Sequence, residues 1–147
     1  MNPDLTSSFS AVLDALGQGL PTLVLQFLVT LALLGVGIVI YMAVTPFRER
    51  ELLRNGNVAA SIVLGGAVLG LAIPLAALLA TSGRVLDILV WGVVALVLQL
   101  ATFGVASSVL PRGARAMIEA GNVAAAIPVF AAQLAVGLLN AAAMVPA

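Results

Sequence analysis

The chain has no cysteine, no histidine and no lysine among its 147 residues. These absences exclude disulfides, thiol chemistry, a zinc site built from the usual ligands and histidine acid–base catalysis. Six arginines balance six acidic residues, so the net charge is zero and no basic surface is predicted to bind nucleic acid. The acidic residues are scattered and form no catalytic pattern. We therefore predict no enzymatic activity, no cofactor and no metal site.

Charge of either sign is also scarce. Charged residues make up 8% of the chain and hydrophobic residues 63%, whereas about 25% of an average soluble domain is charged. This composition predicts a membrane protein in contact with the lipid bilayer. The first ten residues, MNPDLTSSFS, lack the basic region that opens a secretory signal peptide, so they are predicted to belong to the mature protein.

Four long segments have the composition of membrane spans. A hydrocarbon core of about 30 Å is crossed by about 20 helical residues, and each segment is long enough to cross it. The segments cover residues 21–46, 57–81, 85–110 and 122–145, the third with one charge at Asp87. The predicted fold is therefore all-α, a polytopic membrane protein with four transmembrane helices.

The N-terminal segment, residues 1–20, has a different pattern. Leu5, Phe9, Val12 and Leu16 recur at spacings of three and four, with polar residues between them, which predicts an amphipathic helix. Two positions for this helix remain open. It lies either along the membrane interface or against the first transmembrane segment of its own or a neighbouring chain.

An internal repeat divides the rest of the chain. The stretch Gly56-Asn57-Val58-Ala59-Ala60 recurs at residues 121–125, which is 65 residues later, and 8 of the 17 positions over residues 44–60 match at this shift. Because each repeat crosses the membrane twice, we expect parallel repeats related by a pseudo-twofold axis along the membrane normal. The predicted units are residues 1–20, then 21–81 as the first repeat and 82–147 as the second.

The arginines lie between the predicted spans. Three occupy the first connecting loop, one the second and two the third; in chain order they are Arg48, Arg50, Arg54, Arg84, Arg112 and Arg115. The positive-inside rule places the first and third loops in the cytoplasm. Both termini are then predicted to be extracytoplasmic, and loops 47–56 and 111–121 are candidate surfaces for a cytosolic partner.

The two repeated asparagines, Asn57 and Asn122, precede the second and fourth spans. Asparagine is a preferred N-cap residue, so both are predicted to satisfy free N–H groups at the starts of these helices. A functional interpretation is that the two helix N-termini, together with Arg50, Arg54 and Arg115, form a site for an anion such as a lipid phosphate or for an acidic segment of a partner.

A second set of polar residues lies within the spans. Two interpretations of this set are open. The side chains either form interhelical hydrogen bonds, worth about 0.6 kcal/mol each on average, or line a polar lane for a small solute or ion. The set consists of Gln26, Gln99, Thr102, Gln133 and Asn140.

Small residues are frequent on the second and fourth spans. Gly66 and Gly70, and Gly137 and Ala141, are small residues four apart that allow helices to approach closely. The Gly70 carbonyl lacks its usual helical donor because residue 74 is proline. Since four helices have few interior faces, the number of such pairs predicts a homo-oligomer or a subunit of a larger membrane complex.

Several stretches together resemble a known family, the YjfL-type bacterial inner-membrane family, also called domain-of-unknown-function family 350. The likeness extends from about the first span to the C-terminus, and the first twenty residues are not covered. The stretches that carry it are Ile40-Tyr41, Thr45-Pro46, Asn57-Val58-Ala59-Ala60-Ser61, Leu69-Gly70, Ile73-Pro74-Leu75, Trp91-Gly92, Ala95 to Leu100, Asn122 with Ala124-Ala125, and Asn140-Ala141-Ala142.

The resemblance implies a location in the bacterial inner membrane and duplicated two-helix units, and it implies no reaction. Members of this family tend to be encoded near phage-shock-type membrane-remodelling proteins and ATP-grasp peptide ligases, which suggests an envelope-maintenance system. Two hypotheses follow. The first is a non-enzymatic membrane subunit of an oligomeric envelope or membrane-stress assembly. The alternative is a small ion or solute channel or transporter with a polar lane at the repeat interface.

Overall fold

The computed structural model describes residues 3–45, 49–109 and 112–145. Arg48 and Pro111, which belong to the predicted partner loops, lie outside these residues, as does the predicted end of the third span at Leu110. Every described element is an α-helix or a short connection. In chain order the helices are α1 (Pro3–Val44), α2 (Glu49–Arg54), α3 (Val58–Thr81), α4 (Val85–Val109), α5 (Arg112–Glu119) and α6 (Val123–Met144).

Four of these helices are long and apolar enough to cross a membrane. They cover Ser8–Val44, Val58–Thr81, Val85–Val105 and Val123–Met144. At a rise of about 1.5 Å per residue, even the shortest of them reaches the thickness of the hydrocarbon core. The prediction of an all-helical protein with four membrane-spanning segments is confirmed.

The N-terminal segment does not form a separate helix in the structure. Helix α1 continues through Pro21 and has 42 residues, about twice the number needed to cross the hydrocarbon core. Pro21 removes a single backbone hydrogen bond, to the Gly17 carbonyl, and this loss does not end the helix. Residues 8–25 are all exposed, so the described part of this segment does not pack against the first span of its own chain.

The two arginine-containing segments predicted as loops each contain a short helix, α2 in the first and α5 in the second. Helices α2 and α5 each end on a glycine with a positive φ, 72° at Gly56 and 87° at Gly121. A left-handed residue after the last turn is a common helix ending, and glycine adopts it without steric cost. The asparagine that follows each glycine donates its N–H back into the short helix, from Asn57 to Leu52 O at 3.0 Å and from Asn122 to Met117 O at 2.8 Å.

Helix α3 is the most buried of the long helices and contacts α1, α4 and α6. One group of buried side chains, which includes Tyr41, Leu71, Leu96 and Phe103, joins α1, α3 and α4. A second group joins α3 to α5 and α6 through Val63, Ile118 and Ala126. Helix α3 therefore forms the centre of the protein.

Helices α3 and α6 approach each other most closely at three glycines. A Cβ atom built on Gly137 would lie 2.7 Å from Gly70 O and 2.8 Å from Gly70 Cα, and one built on Gly66 would lie 3.0 Å from Phe130 Cα. Pro74 has no N–H for the Gly70 carbonyl, and this oxygen lies beside the position that a Cβ atom on Gly137 would take. Contacts of Cα–H with a carbonyl are common where helices pack closely. The proline therefore exposes a carbonyl at the point where glycine lets the second helix reach it.

The two sequence repeats are not buried alike. Ten residues of α3 are buried, and six of them are Ala59, Val63, Gly66, Ala67, Gly70 and Pro74. The residues 65 positions later in α6 are all exposed: Ala124, Pro128, Ala131, Ala132, Ala135 and Leu139. At these six positions the two repeats therefore have different surroundings within one chain.

Candidate functional site

The junction before α3 ties the two halves of the protein together. Asn57 Oδ1 accepts a hydrogen bond from the Ala60 N–H at 2.9 Å, so the predicted N-cap is confirmed. The other end of the same carboxamide donates to Ile118 O at 3.1 Å and to Glu119 O at 2.9 Å. These are carbonyls of the last turn of α5, and Ile118 O also accepts from the Gly121 N–H at 2.9 Å. One side chain therefore satisfies a helix start and a helix end.

The equivalent residue before α6 makes only half of these contacts. Asn122 Oδ1 accepts from the Ala125 N–H at 3.3 Å, which confirms the second predicted N-cap. In the described part of the chain, Asn122 Nδ2 has no acceptor, and the residue is exposed. The two asparagines share the capping role, but Asn57 alone also holds a neighbouring helix within this chain.

The residues of the predicted anion site lie at the starts of α3 and α6 and on α2 and α5. The start of α3 faces the carbonyl end of α5, because Asn57 brings those oxygens to it, and acceptor oxygens repel an anion. Arg115 Nε donates to Glu119 Oε1 at 3.0 Å, four residues away on α5. Arg50 and Arg54 are exposed on α2. Their spacing of four places both guanidinium groups on one face of that helix.

Three members of the predicted polar lane meet inside the protein. Gln99 is fully buried, and Gln133 and Asn140 are 7% and 9% exposed. Asn140 Nδ2 donates to Gln99 Oε1 at 3.2 Å and to Ala95 O at 2.9 Å. Gln99 Nε2 donates to Gln133 O at 3.4 Å. These bonds join α4 to α6 and define the amide cluster, Gln99, Gln133 and Asn140.

A tyrosine joins the cluster to α1. Gln133 Nε2 donates to Tyr41 Oη at 3.2 Å, and the Tyr41 ring packs edge-on against Phe103 with centroids 5.6 Å apart. No role was assigned to Tyr41 from the sequence. Its signal was present, since a tyrosine in an uncharged span has a hydroxyl that needs a partner away from water.

Helix α3 makes room for the amide cluster without contributing a polar side chain to it. A Cβ atom on Gly66 would overlap Gln133 Oε1, and one on Gly70 would lie 3.1 Å from Gln99 Nε2. The glycines predicted to mediate helix packing therefore also accommodate the amides. Among the described residues, two buried oxygens of the cluster, Gln133 Oε1 and Asn140 Oδ1, have no donor.

Two members of the predicted lane lie outside the cluster. Thr102 Oγ1 donates to Leu98 O of its own helix at 2.8 Å. Gln26 Nε2 lies 3.5 Å from Ser82 O, in an open groove between α1 and the end of α3 that is also lined by Thr22 and Leu79. Neither side chain bonds to the amide cluster, and a helical wheel of a single span does not reveal which neighbouring helix a residue contacts.

The chemical capacity of the amide cluster is that of neutral hydrogen bonding. Amides neither titrate nor attack carbonyl carbons at ordinary pH, so the cluster supplies no nucleophile and no general base. The described residues contain no group of three or more histidine, cysteine, aspartate or glutamate side chains that could hold a metal ion. What the cluster does is connect three helices, since each amide reaches another helix or its backbone.

The four long helices have apolar exteriors, and the amide side chains of the cluster are buried among them. These features define a polytopic α-helical membrane protein. The chain belongs to the family described as Domain of Unknown Function (DUF350), which matches residues 15–144. The resemblance noted from the sequence is thereby confirmed.

Curated relatives place this family in a membrane by name. The chain is 35% identical over 118 residues to the UPF0719 inner membrane protein YjfL of Escherichia coli strain K12, covering 80% of this chain and 89% of the relative. The same values hold for the protein of that name in Escherichia coli O157:H7. No solved structure matches the chain.

Proposed function

We propose that this protein is a non-enzymatic integral membrane subunit of an oligomeric assembly associated with the bacterial envelope or with membrane stress. In this role it recruits a soluble partner on the cytoplasmic side. Its interior supports a structural role, because the amide cluster and Tyr41 bond to one another across α1, α4 and α6. The envelope association rests on the family resemblance alone.

The observation that carries the recruiting role is the charged surface at one end of the protein. Helices α2 and α5 share that end, because Asn57 at the start of α3 holds the last turn of α5. Arg50 and Arg54 are exposed there on one face of α2. Under the positive-inside rule this end is cytoplasmic and both chain termini are extracytoplasmic. An acidic segment of a soluble partner is the ligand with complementary charge.

The test is co-purification of soluble proteins with the intact membrane protein. Changing Arg50 and Arg54 to alanine should remove a bound cytosolic partner. Arg84→Ala is the matched control, since Arg84 is also exposed but follows the opposite end of α3. Loss of the partner with the control variant, or its retention with the double variant, would contradict the proposal.

A channel or transporter is the second candidate. Two buried oxygens favour it, Gln133 Oε1 and Asn140 Oδ1, because neither has a donor among the described residues and a passing solute or water could supply one. The residues are seven apart on α6, which corresponds to about 10 Å along the helix. Liposomes with wild-type protein should then show a flux that Gln99→Leu with Gln133→Leu abolishes. Absence of flux from the wild-type protein would rule out this candidate.

A further inference from the structure

We infer that the exposed face of α6 binds helix α3 of a second copy of this chain, in the way that α3 binds α6 within one chain. This inference deepens the proposed function and rests on its oligomeric part. The α6 open face consists of Ala124, Pro128, Ala131, Ala132, Ala135 and Leu139, all exposed.

The first argument is the equivalence of the two faces. Each residue of the α6 open face lies 65 positions after an α3 residue that is buried, as Ala131 does after Gly66 and Ala135 after Gly70. In α3, Ala59 and Val63 pack with Ala126 of α6, and Gly66 and Gly70 lie against Phe130 and Gln133. Equivalent surfaces are therefore present on α3 and on α6, and within a single chain the one on α3 is buried and the one on α6 is exposed.

The second argument is that the complementary surface also occurs twice. Within the chain, the α3 face meets Phe130, Gln133 and Gly137 of α6. Their equivalents in α3 are Gly65, Val68 and Ala72, which are half-buried. A Cβ atom on Gly65 would meet nothing within 4 Å. This α3 outer face is therefore half-buried in the single chain, with open space at Gly65.

The third argument is that the side-chain NH₂ group of Asn122 has no acceptor within the described part of one chain. Asn57 donates to the carbonyls of Ile118 and Glu119 at the end of α5. The equivalent of Asn57 is Asn122, and the equivalents of those two carbonyls belong to Leu53 and Arg54 at the end of α2. In the described part of one chain Asn122 Nδ2 has no acceptor, and Asn122 is exposed. A second copy would bring its α2 carbonyls to this amide.

These three observations also set the symmetry of the assembly. If the halves of one chain formed a closed twofold pair, Ala131 and Ala135 would be buried against α3 of the same chain, and they are exposed. The two halves therefore contact each other through different surfaces, which is a heterologous contact. The second repeat of one chain can then bind the first repeat of the next chain in the same way that the first repeat binds the second within one chain. Heterologous contacts close into rings when the rotation allows it.

The contact between chains differs from the contact within one chain in two respects. Alanines at 131 and 135 replace Gly66 and Gly70, so the helix axes lie farther apart. Val68 replaces Gln133, so no amide is buried there. The interface between copies is a wider version of the internal one, with the bonds of Asn122 at its end and no buried amide within the membrane-spanning part.

Disulfide trapping in native membranes tests the inference, because the chain has no cysteine of its own. Within the chain, a Cβ atom on Gly66 would lie 3.0 Å from Phe130 Cα, so the equivalent pair, Ala131 and Gly65 of the next copy, lies within disulfide range. One tagged chain carries Ala131→Cys and a co-expressed chain with a different tag carries Gly65→Cys. The expected product under oxidation is a dimer that contains both tags.

Controls separate the possible results. Val97→Cys paired with Gly65→Cys serves as the matched control, since Val97 is 60% exposed on α4 and belongs to neither face. It should yield little dimer. Asn122→Ser keeps a capping side chain but removes the amide donors, and it should lower the yield of the 131–65 dimer by about threefold, the effect of one interhelical hydrogen bond.

Four results would overturn the inference or part of it. Dimers of Ala131→Cys with itself would mean that α6 meets α6 about a twofold axis. A complex larger than one chain with no 131–65 product would remove this interface and leave the oligomeric proposal standing. A single-chain mass with no cross-links would remove both. An unchanged yield with Asn122→Ser would refute the role given to its amide.

Discussion

Replacing Gly137 with alanine tests the close approach of α3 and α6, on which the amide cluster depends. The added Cβ atom would lie 2.7 Å from Gly70 O and 2.8 Å from Gly70 Cα. Both are backbone atoms, so no side-chain rotation relieves the overlap. Ordinary contact begins at 3.4 Å, and the helices must therefore separate by about 0.7 Å.

The cost of this separation follows from packing. Inserting a methyl group into a well-packed interface costs about 1 to 3 kcal/mol, and a gap of about 0.5 to 1 Å forfeits a quarter to a half of each dispersion contact around it. Alanine recovers about 0.5 to 1 kcal/mol because it is the better helix former. We expect Gly137→Ala to lower the free energy of unfolding by about 1 to 2 kcal/mol.

The measurement is reversible unfolding of the purified protein from mild detergent into dodecyl sulfate, followed by circular dichroism. Gly35→Ala is the matched control, since a Cβ atom there would meet nothing within 4 Å. It should leave stability unchanged or raise it slightly. If Gly137→Ala is as stable as Gly35→Ala, the two helices do not approach as closely as the structure has them.

The other predictions use the same unfolding assay. Asn57→Ser should lower stability by about 1 to 2 kcal/mol, because it keeps a cap but loses both bonds to the α5 carbonyls, and Asn57→Leu should cost about 1 kcal/mol more. Asn122→Ser should change the single chain by less than about 0.5 kcal/mol, and equal effects at the two asparagines would contradict their different environments. Asn140→Leu should cost about 1 to 2 kcal/mol, because it leaves Gln99 Oε1 without its donor. Gln26→Leu removes a side-chain bond that is 3.5 Å long and lies in an open groove, so it should cost less than about 0.5 kcal/mol, and a larger cost than at Asn140 would refute this assignment.

Some features of the site could be predicted from local sequence. The caps at Asn57 and Asn122 depend only on a short polar side chain at the start of an apolar helix, and a residue pattern contains that information. The left-handed glycines before these asparagines also depend only on local sequence. The short helices that they end, α2 and α5, were expected to be loops. The charged residues between the spans led to the prediction of loops. A helix of six or eight residues has too few turns to establish a periodic pattern.

Other features depend on which helices are neighbours. Gln99, Gln133 and Asn140 meet because α4 packs beside α6, whereas Gln26 and Thr102 are also polar residues within spans but bond to Ser82 O and Leu98 O. The bond from Asn57 to α5 joins residues about sixty positions apart. No spacing along one helix encodes such contacts, because they depend on the rotation of each helix about its axis.

The sequence by itself determined that this is a four-span membrane protein, because the hydrophobic requirement of a bilayer is additive along the chain and can be summed residue by residue. It also established that Gly-Asn-Val-Ala-Ala is present twice. Only the tertiary structure decided that the two copies have different surroundings, one against a neighbouring helix and one exposed. The reason is physical. Two identical segments of one chain have equivalent contacts only when they are related by a closed symmetry, and in this chain one face of α6 remains exposed.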